Sequence, residues 1–289
     1  MKPAQFEYLR ASSPDEALSV LRTDEDAKLL AGGQSLLPMM NLRLARPTVL
    51  VDLGGLGELR RVSEVSGVID VGPLCSHRTV EMSPLFRSHL PLLSEAARHI
   101  GHVGIRNRGT LAGSLAHADP AAEMPLVAMT LGAEVVVRSL DRGTRVVPAE
   151  GFFESFFQTD LAPDELIGSV RFPAQPASQG WGFCEHARRP GDFALAGAAV
   201  TLDLSSEGTV RSLRCAVMSA ARPVLVATGG ELAGASPTAA LFDELSLRWS
   251  QAAEAATDQE YRRALTRSAL RRSLEHAHRR ALVGELERG

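Results

Sequence analysis

Two segments of the chain gather residue types that bind phosphate. The first is Ala31-Gly32-Gly33-Gln34-Ser35-Leu36-Leu37-Pro38, which follows a short apolar run at Ala27-Lys28-Leu29-Leu30. Paired glycines let a backbone turn so that consecutive N–H groups point into one concavity, and such a nest takes phosphate oxygens. Ser35 adds a hydroxyl, and the Gln34 amide can reach a ribose or phosphate oxygen. A plain strand-ending turn uses the same residues, so this segment alone supports either reading. The second segment is Ile105-Arg106-Asn107-Arg108-Gly109-Thr110-Leu111-Ala112-Gly113-Ser114, continuing as Leu115-Ala116-His117-Ala118-Asp119-Pro120. Its small residues admit a ligand or a second backbone, Thr110 and Ser114 carry hydroxyls, and Asp119 and Glu123 can accept from sugar hydroxyls. Arg106 and Arg108 either offset phosphate charge or brace a loop by binding carbonyls. Neither segment fits the G-x-G-x-x-G pattern of a Rossmann nicotinamide site. Two such segments, well separated in sequence, point to one long dinucleotide clasped between two subdomains.

The rest of the composition narrows the class. The chain has 289 residues, 45% apolar and 22% charged, with a formal net charge of −3, enough to build real cores in one to three domains. That charge supplies no basic field for nucleic acid. Lysine occurs only at Lys2 and Lys28, so there is no phosphate-loop lysine. Cys75, Cys184 and Cys215 are too few for a disulfide framework and cannot give the four thiolates of a usual iron–sulfur cluster. The histidines lack metal-ligand spacing and read as structural, with a lesser chance of cofactor contact for His102 and His117, beside the second segment. The N-terminus lacks an apolar signal region and no run spans a membrane, so a soluble, cytoplasmic protein is expected.

Around these segments the sequence predicts their supports. Ser13 caps a helix, with Pro14 at its first position and Glu16 closing a capping box. With strands at 27–30 and 48–52, this helix makes a small α/β unit. Strands are predicted at 67–72, 133–138, 144–147 and 166–172, and a helix at 92–100. Ala174 to Gly180 reads as a linker. Strands at 182–188, 198–204 and 210–218 then suggest an antiparallel meander, and the chain is helical from Ser236. Arg262, Arg263, Arg267, Arg271, Arg272, Arg279 and Arg280 read as a solvated helix face balanced by Glu260, Glu275 and Glu285. The alternative is an anionic partner surface.

The segment AGGQSLLPMMNLRLARPTVLVDL, residues 31–53, resembles the first FAD-binding signature of the medium (flavoprotein) subunits of molybdenum hydroxylases. IRNRGTLAGSLAHADPAAEMP, residues 105–125, resembles their second, and FCEHARRPGDFALAGAAV, residues 183–200, their third. The resemblance implies an α+β protein with an FAD-binding fold of the vanillyl-alcohol-oxidase type. Residues 1–56 and 57–175 would be the two subdomains clasping FAD, and 176–289 a C-terminal antiparallel sheet with helices. It further implies that Ala31, Gly32, Gly33, Gln34, Ser35 and Leu36 cradle the pyrophosphate. Thr110, Ala112, Gly113 and Ser114 would complete that cradle, with Asp119 and Glu123 near sugar hydroxyls. Ala112-Gly113-Ser114 stands where the second signature usually has Gly-Gly-Asn, and Gln34 replaces a common histidine. In the third signature, Phe193 either gates the flavin with Asp192 beside it or belongs to the core.

No catalytic residue beyond FAD is then required. A large partner would hold the molybdenum cofactor and a small partner the iron–sulfur clusters, and electrons would leave this FAD for an external acceptor. The other readings are a stand-alone flavin reductase or oxidase of the same superfamily and a non-catalytic assembly subunit.

Overall fold

The computed structural model describes residues 2–253 and 258–286. Strand β1 (Glu7–Arg10), helix α1 (Pro14–Thr23), strand β2 (Lys28–Leu30), helix α2 (Leu36–Asn41) and strand β3 (Val49–Asp52) form the first unit. Its parallel sheet has the order β1-β3-β2, with Leu9 opposite Val51 and Leu29 opposite Val51 on the other side. Pro14 opens α1, and the Ser13 hydroxyl accepts from the Glu16 amide at 3.1 Å. The Glu16 carboxylate turns to the amide and hydroxyl of Ser12 rather than to Ser13, so the expected box closes one residue early. β1 was not anticipated, because its largely exposed Glu-Tyr-Leu-Arg run has no apolar alternation.

The second unit contains β4 (Val62–Val65), β5 (Val68–Val71), α3 (His77–Met82), α4 (Pro84–His89), α5 (Pro91–Ala97), α6 (Val103–Arg108), α7 (Leu111–His117) and α8 (Glu123–Leu131). It continues with β6 (Glu134–Ser139), β7 (Gly143–Pro148), α9 (Ala149–Phe152), β8 (Phe153–Ser155), β9 (Gln158–Thr159) and β10 (Leu166–Pro173). Its antiparallel sheet runs β4-β5-β10-β6-β7. Ile69, Val71, Val135, Val137, Val170 and Phe172 face the helices in the largest core. Every residue of α8 is buried, as expected for a helix apolar on all sides. The helix expected at 92–100 is α5, one of several short helices here, because prolines open α4 and α5 and left-handed residues end α7 and α8.

Beyond the linker, β11 (Gly180–Ala187), β12 (Ala194–Leu204), β13 (Val210–Val217) and β14 (Val224–Gly229) form a meander, followed by α10 (Ala239–Trp249) and α11 (Gln259–Leu286). The antiparallel expectation holds. The fourth strand is additional: Pro223 and Gly229-Gly230 frame only six residues, a run too short to stand out. β11 sorts its residues by face. A Cβ on Gly180 or Gly182 would lie 2.0 Å from the Ala277 carbonyl oxygen or 1.9 Å from that of Ser273, so glycine lets α11 lie directly on the strand. Trp181, Phe183 and Glu185 alternate with these glycines and face the second unit.

The α11 arginines do not form one solvated face. Arg262 donates to the Leu195 carbonyl, Arg271 pairs with Asp243 and Glu275, and Arg280 stacks on Trp181 and donates to its carbonyl. Arg267, Arg272 and Arg279 are the exposed ones. The side chain of Glu285 lies outside the described residues.

Candidate cofactor site

The first segment leaves β2 and enters α2 through Gly33, whose φ of +71° glycine adopts without the strain an L side chain meets there. The Leu37 amide donates to the Gly33 carbonyl, and the Gln34 side chain donates to the Gly32 carbonyl at 3.2 Å. Among the described residues, no protein acceptor takes the N–H groups of Gly32, Gly33, Gln34 or Ser35. The Ser35 hydroxyl also makes no capping bond. This is a row of open donors at a half-buried surface, which an anionic oxygen satisfies.

The second segment is two short helices broken at Gly109-Thr110 rather than a loop. Thr110 is buried and caps α7, its hydroxyl accepting from the Gly113 amide at 3.1 Å. Ala112 turns its methyl into the main core, so this departure from the family pattern does not crowd the cradle. Ser114 is half-buried, and its hydroxyl bonds to nothing among the described residues. Of the two arginines, Arg106 is a brace. Its guanidinium binds Glu81 at 2.9 Å and the carbonyls of Ile100 and Gly101 at 3.0 and 3.1 Å. Arg108 is exposed and makes no ion pair among the described residues.

The fold brings the two segments into contact. A Cβ on Gly32 would meet the Arg108 carbonyl oxygen at 2.1 Å and the Gly109 Cα at 2.8 Å, while Ala31 lies 3.8 Å from the corresponding position on Gly113. Leu36 is half-buried at the start of α2. His77, unremarkable in sequence, packs against Gly109. Burial pushes its imidazole down to about 4, helped by the Arg106 charge, and its Nδ1 is buried without a partner.

Asp119 and Glu123 follow at the entrance of α8. Asp119 accepts from the Ala121 amide at 2.9 Å. Glu123 is buried, and burial followed by the charge of Glu185 pushes its carboxyl up to about 8. Beside it, His99 lies 3.4 Å from Glu185 and 3.8 Å from Glu95, and these two carboxylates raise its imidazole to about 9. Neither the protonation of Glu123 nor this His99 pairing was anticipated; the only visible hint was the i, i+4 spacing of Glu95 and His99.

The third segment bends through an exposed turn in which the Asp192 amide donates to the Arg189 carbonyl. Phe193 is 77% exposed, so the core expectation for it fails. His102 caps α6 by accepting from the Gly104 amide, and His117 stacks on Phe157 at 4.7 Å between centroids. Burial pushes the Cys75 thiol up to about 12 and raises that of Cys184. Among the described residues there is no grouping suited to a metal and no helix long and apolar enough to cross a membrane.

Comparison with known proteins gives this geometry a family. Residues 4–175 match the FAD binding domain in molybdopterin dehydrogenase, and residues 181–277 match the CO dehydrogenase flavoprotein C-terminal domain. The chain is 46% identical over 217 residues to the nicotine 6-hydroxylase medium subunit of Paenarthrobacter nicotinovorans, covering 75% of each. It is 45% identical to the caffeine dehydrogenase subunit beta of Pseudomonas sp. strain CBB1, covering 70% of this chain and 69% of that one. In structure it resembles a chain of carbon monoxide dehydrogenase from Hydrogenophaga pseudoflava that lacks the Mo-pyranopterin moiety of its cofactor. The TM-score is 0.92 at 34% identity, over 97% of this chain and 99% of that chain. The α+β fold expected from the three signatures is borne out, and the chain belongs to the FAD-binding medium subunits of the molybdenum hydroxylases.

Proposed function

We propose that this chain carries FAD in a three-subunit molybdenum hydroxylase, takes electrons from an iron–sulfur subunit and passes them to an external acceptor. The observation that carries the proposal is the seating of Gly32 on the Arg108–Gly109 backbone, beside a row of open amide donors. The donor set fits a dinucleotide pyrophosphate. The N–H groups of Gly32 to Ser35 and the hydroxyls of Ser35 and Ser114 have no partner among the described residues, and Arg108 supplies an unpaired positive charge. Gln34 and Leu36 flank the row, Ala31 and Gly113 form its opposing wall, and Thr110 fixes the backbone of that wall. Asp119 and Glu123 would hold sugar hydroxyls, Glu123 as a neutral donor near pH 7. Bound FAD supplies one-electron acceptance and one- or two-electron delivery, so the chain itself needs no nucleophile.

With only three thiols, all free, the chain relies on another protein for iron–sulfur chemistry. A large subunit holding the molybdenum cofactor and a small iron–sulfur subunit are the inferred partners. The free thiols suit the cytoplasm. The segments 1–56, 57–175 and 176–289 serve as three subdomains, a division supported by the change of sheet after β3 and after β10.

Purified protein should be yellow, with the absorption of oxidised flavin. Gly33→Val places a β-branched residue at φ +71° and should abolish flavin retention. A folded wild-type chain that stays colourless after incubation with FAD would overturn the proposal.

A further inference from the structure

The loop of the third signature is pinned to the second unit at two points. At its base, Glu185 pairs with Gly197 one residue before His186, the last regular residue of β11, after which the register shifts at His186/Ala187. Its side chain is 6% exposed and reaches His99 at 3.4 Å, just beyond the end of α5. The His99 ring also packs on Phe183, with centroids 5.0 Å apart, so residues two apart on one face of β11 form its seat. The remaining Glu185 oxygen is buried without a partner. Glu95 faces His99 from α5, and Glu123 faces the same group from α8.

At the tip, Gly191 lies on the Gly101 backbone. A Cβ there would fall 2.8 Å from the Gly101 carbonyl oxygen, at a φ of +83°. That carbonyl does not drift, because Arg106 binds it together with the Ile100 carbonyl, and Glu81 holds Arg106. Glu81 is in turn held by Arg78 at 2.9 Å.

Between this seat and the pyrophosphate cradle stands α6. Gly101 precedes it, and its last residue, Arg108, touches Gly32. Six helical residues span roughly 9 Å. That is the scale of the ribityl chain separating a pyrophosphate from an isoalloxazine ring, so a cofactor extending from the cradle along α6 would reach the loop tip at Gly191, two residues before the exposed Phe193.

We propose that residues 99–101, braced by Arg106, are the seat of the third-signature loop, and that Glu81, His99, Arg106 and Glu185 are positioning residues that hold Phe193 over the flavin. The assignment rests on the flavin reading of the cradle. None of the four need touch the cofactor. They act through the Ile100 and Gly101 carbonyls and through the base of the loop.

The test uses the full chain. Trypsin can cut the Arg188–Arg189 bond, which is exposed in this loop, whereas the following bond precedes Pro190 and resists cleavage. Glu185→Gln and His99→Gln should each speed cleavage there by about three- to ten-fold, as expected for losing a partly buried charged hydrogen bond that holds a local opening shut. In the FAD-loaded chain the same variants should shift the flavin absorption band in the direction produced by Phe193→Ala, without loss of flavin. Gly191→Ala, at an exposed position, should do the same by lifting the tip. Unchanged cleavage in all three variants would overturn the proposal. Cleavage is also read on FAD-free protein. A chain that binds no FAD but shows faster cleavage retains the loop seat and loses the flavin reading; one that binds FAD with unchanged cleavage loses only the seat.

Discussion

Glu123 illustrates what a single residue contributes here. Its carboxyl is buried beside the charges of Glu185 and Asp119, with His99 only partly offsetting them. The folded state therefore holds this group neutral up to about pH 8, whereas an unfolded glutamate ionises near the ordinary value of about 4.3. For a group raised in this sense, the contribution to stability is full below the unfolded value and is lost as pH rises through the folded one. His99, raised to about 9, adds a loss in the same direction at higher pH. Glu123→Gln keeps the shape and removes the ionisation. In FAD-free protein it should leave the urea midpoint nearly unchanged at pH 5 and raise it at pH 9. An equal change at both pH values would place the Glu123 carboxyl in water. The sequence offered Glu123 as an acceptor for sugar hydroxyls and could not reveal its proton, because its burial and then the charge of Glu185, which lies on β11 while Glu123 lies on α8, come only from the fold. The same holds for Arg106. Bracing and charge compensation were both open in the sequence, and only the fold brings Glu81 to its guanidinium.

At the scale of elements, the clearest constraint is the contact between β11 and α11. Gly180 and Gly182 alternate with Trp181, Phe183 and Glu185, so one strand offers bare backbone to a helix and large side chains to a different unit. Gly182→Ala puts a methyl 1.9 Å from the Ser273 carbonyl oxygen, with backbone on the other side that cannot swing away. We expect a loss of about 3 kcal/mol in chemical denaturation, at the upper end of overpacking. A midpoint equal to wild type would mean that α11 does not rest on β11. Strand periodicity made most of these elements legible in the sequence. β1, β4, β8, β9 and β14 escaped because two to six residues without strong alternation carry little signal. The second signature escaped differently: glycine there reads as loop, and only the cap at Thr110 and the terminus at Gly109 turn it into two helices.

At the scale of the whole molecule, the proposed cofactor cradle lies where the first unit meets the second. Leu18, Leu21 and Ala27 from the first unit share a small core with Leu166 from the second, and Ala11, Ala17, Val51 and Leu53 share another with Leu59 and Leu74. The pairs Arg22–Asp141 and Arg138–Asp15 cross the same boundary between exposed side chains, where each contributes about 1 kcal/mol or less. The tightest crossing is Gly32 against Arg108 and Gly109, inside the cradle. A ligand seated there binds the folded state and has no site in the unfolded chain. Stability should therefore grow with the logarithm of free FAD, reaching about 2.7 kcal/mol at a hundred times its Kd. The wild-type unfolding temperature should climb as FAD is added, while Gly33→Val should start somewhat lower, from the strain at its φ, and stay flat. A wild-type protein whose unfolding temperature ignores FAD would leave the two units held together by their protein contacts alone. Equal climbs in both proteins would move the cofactor away from the cradle. The residues of the proposed cradle and their nucleotide chemistry were legible in two sequence motifs, whereas the contact of Gly32 with Arg108 and Gly109 belongs to the fold alone.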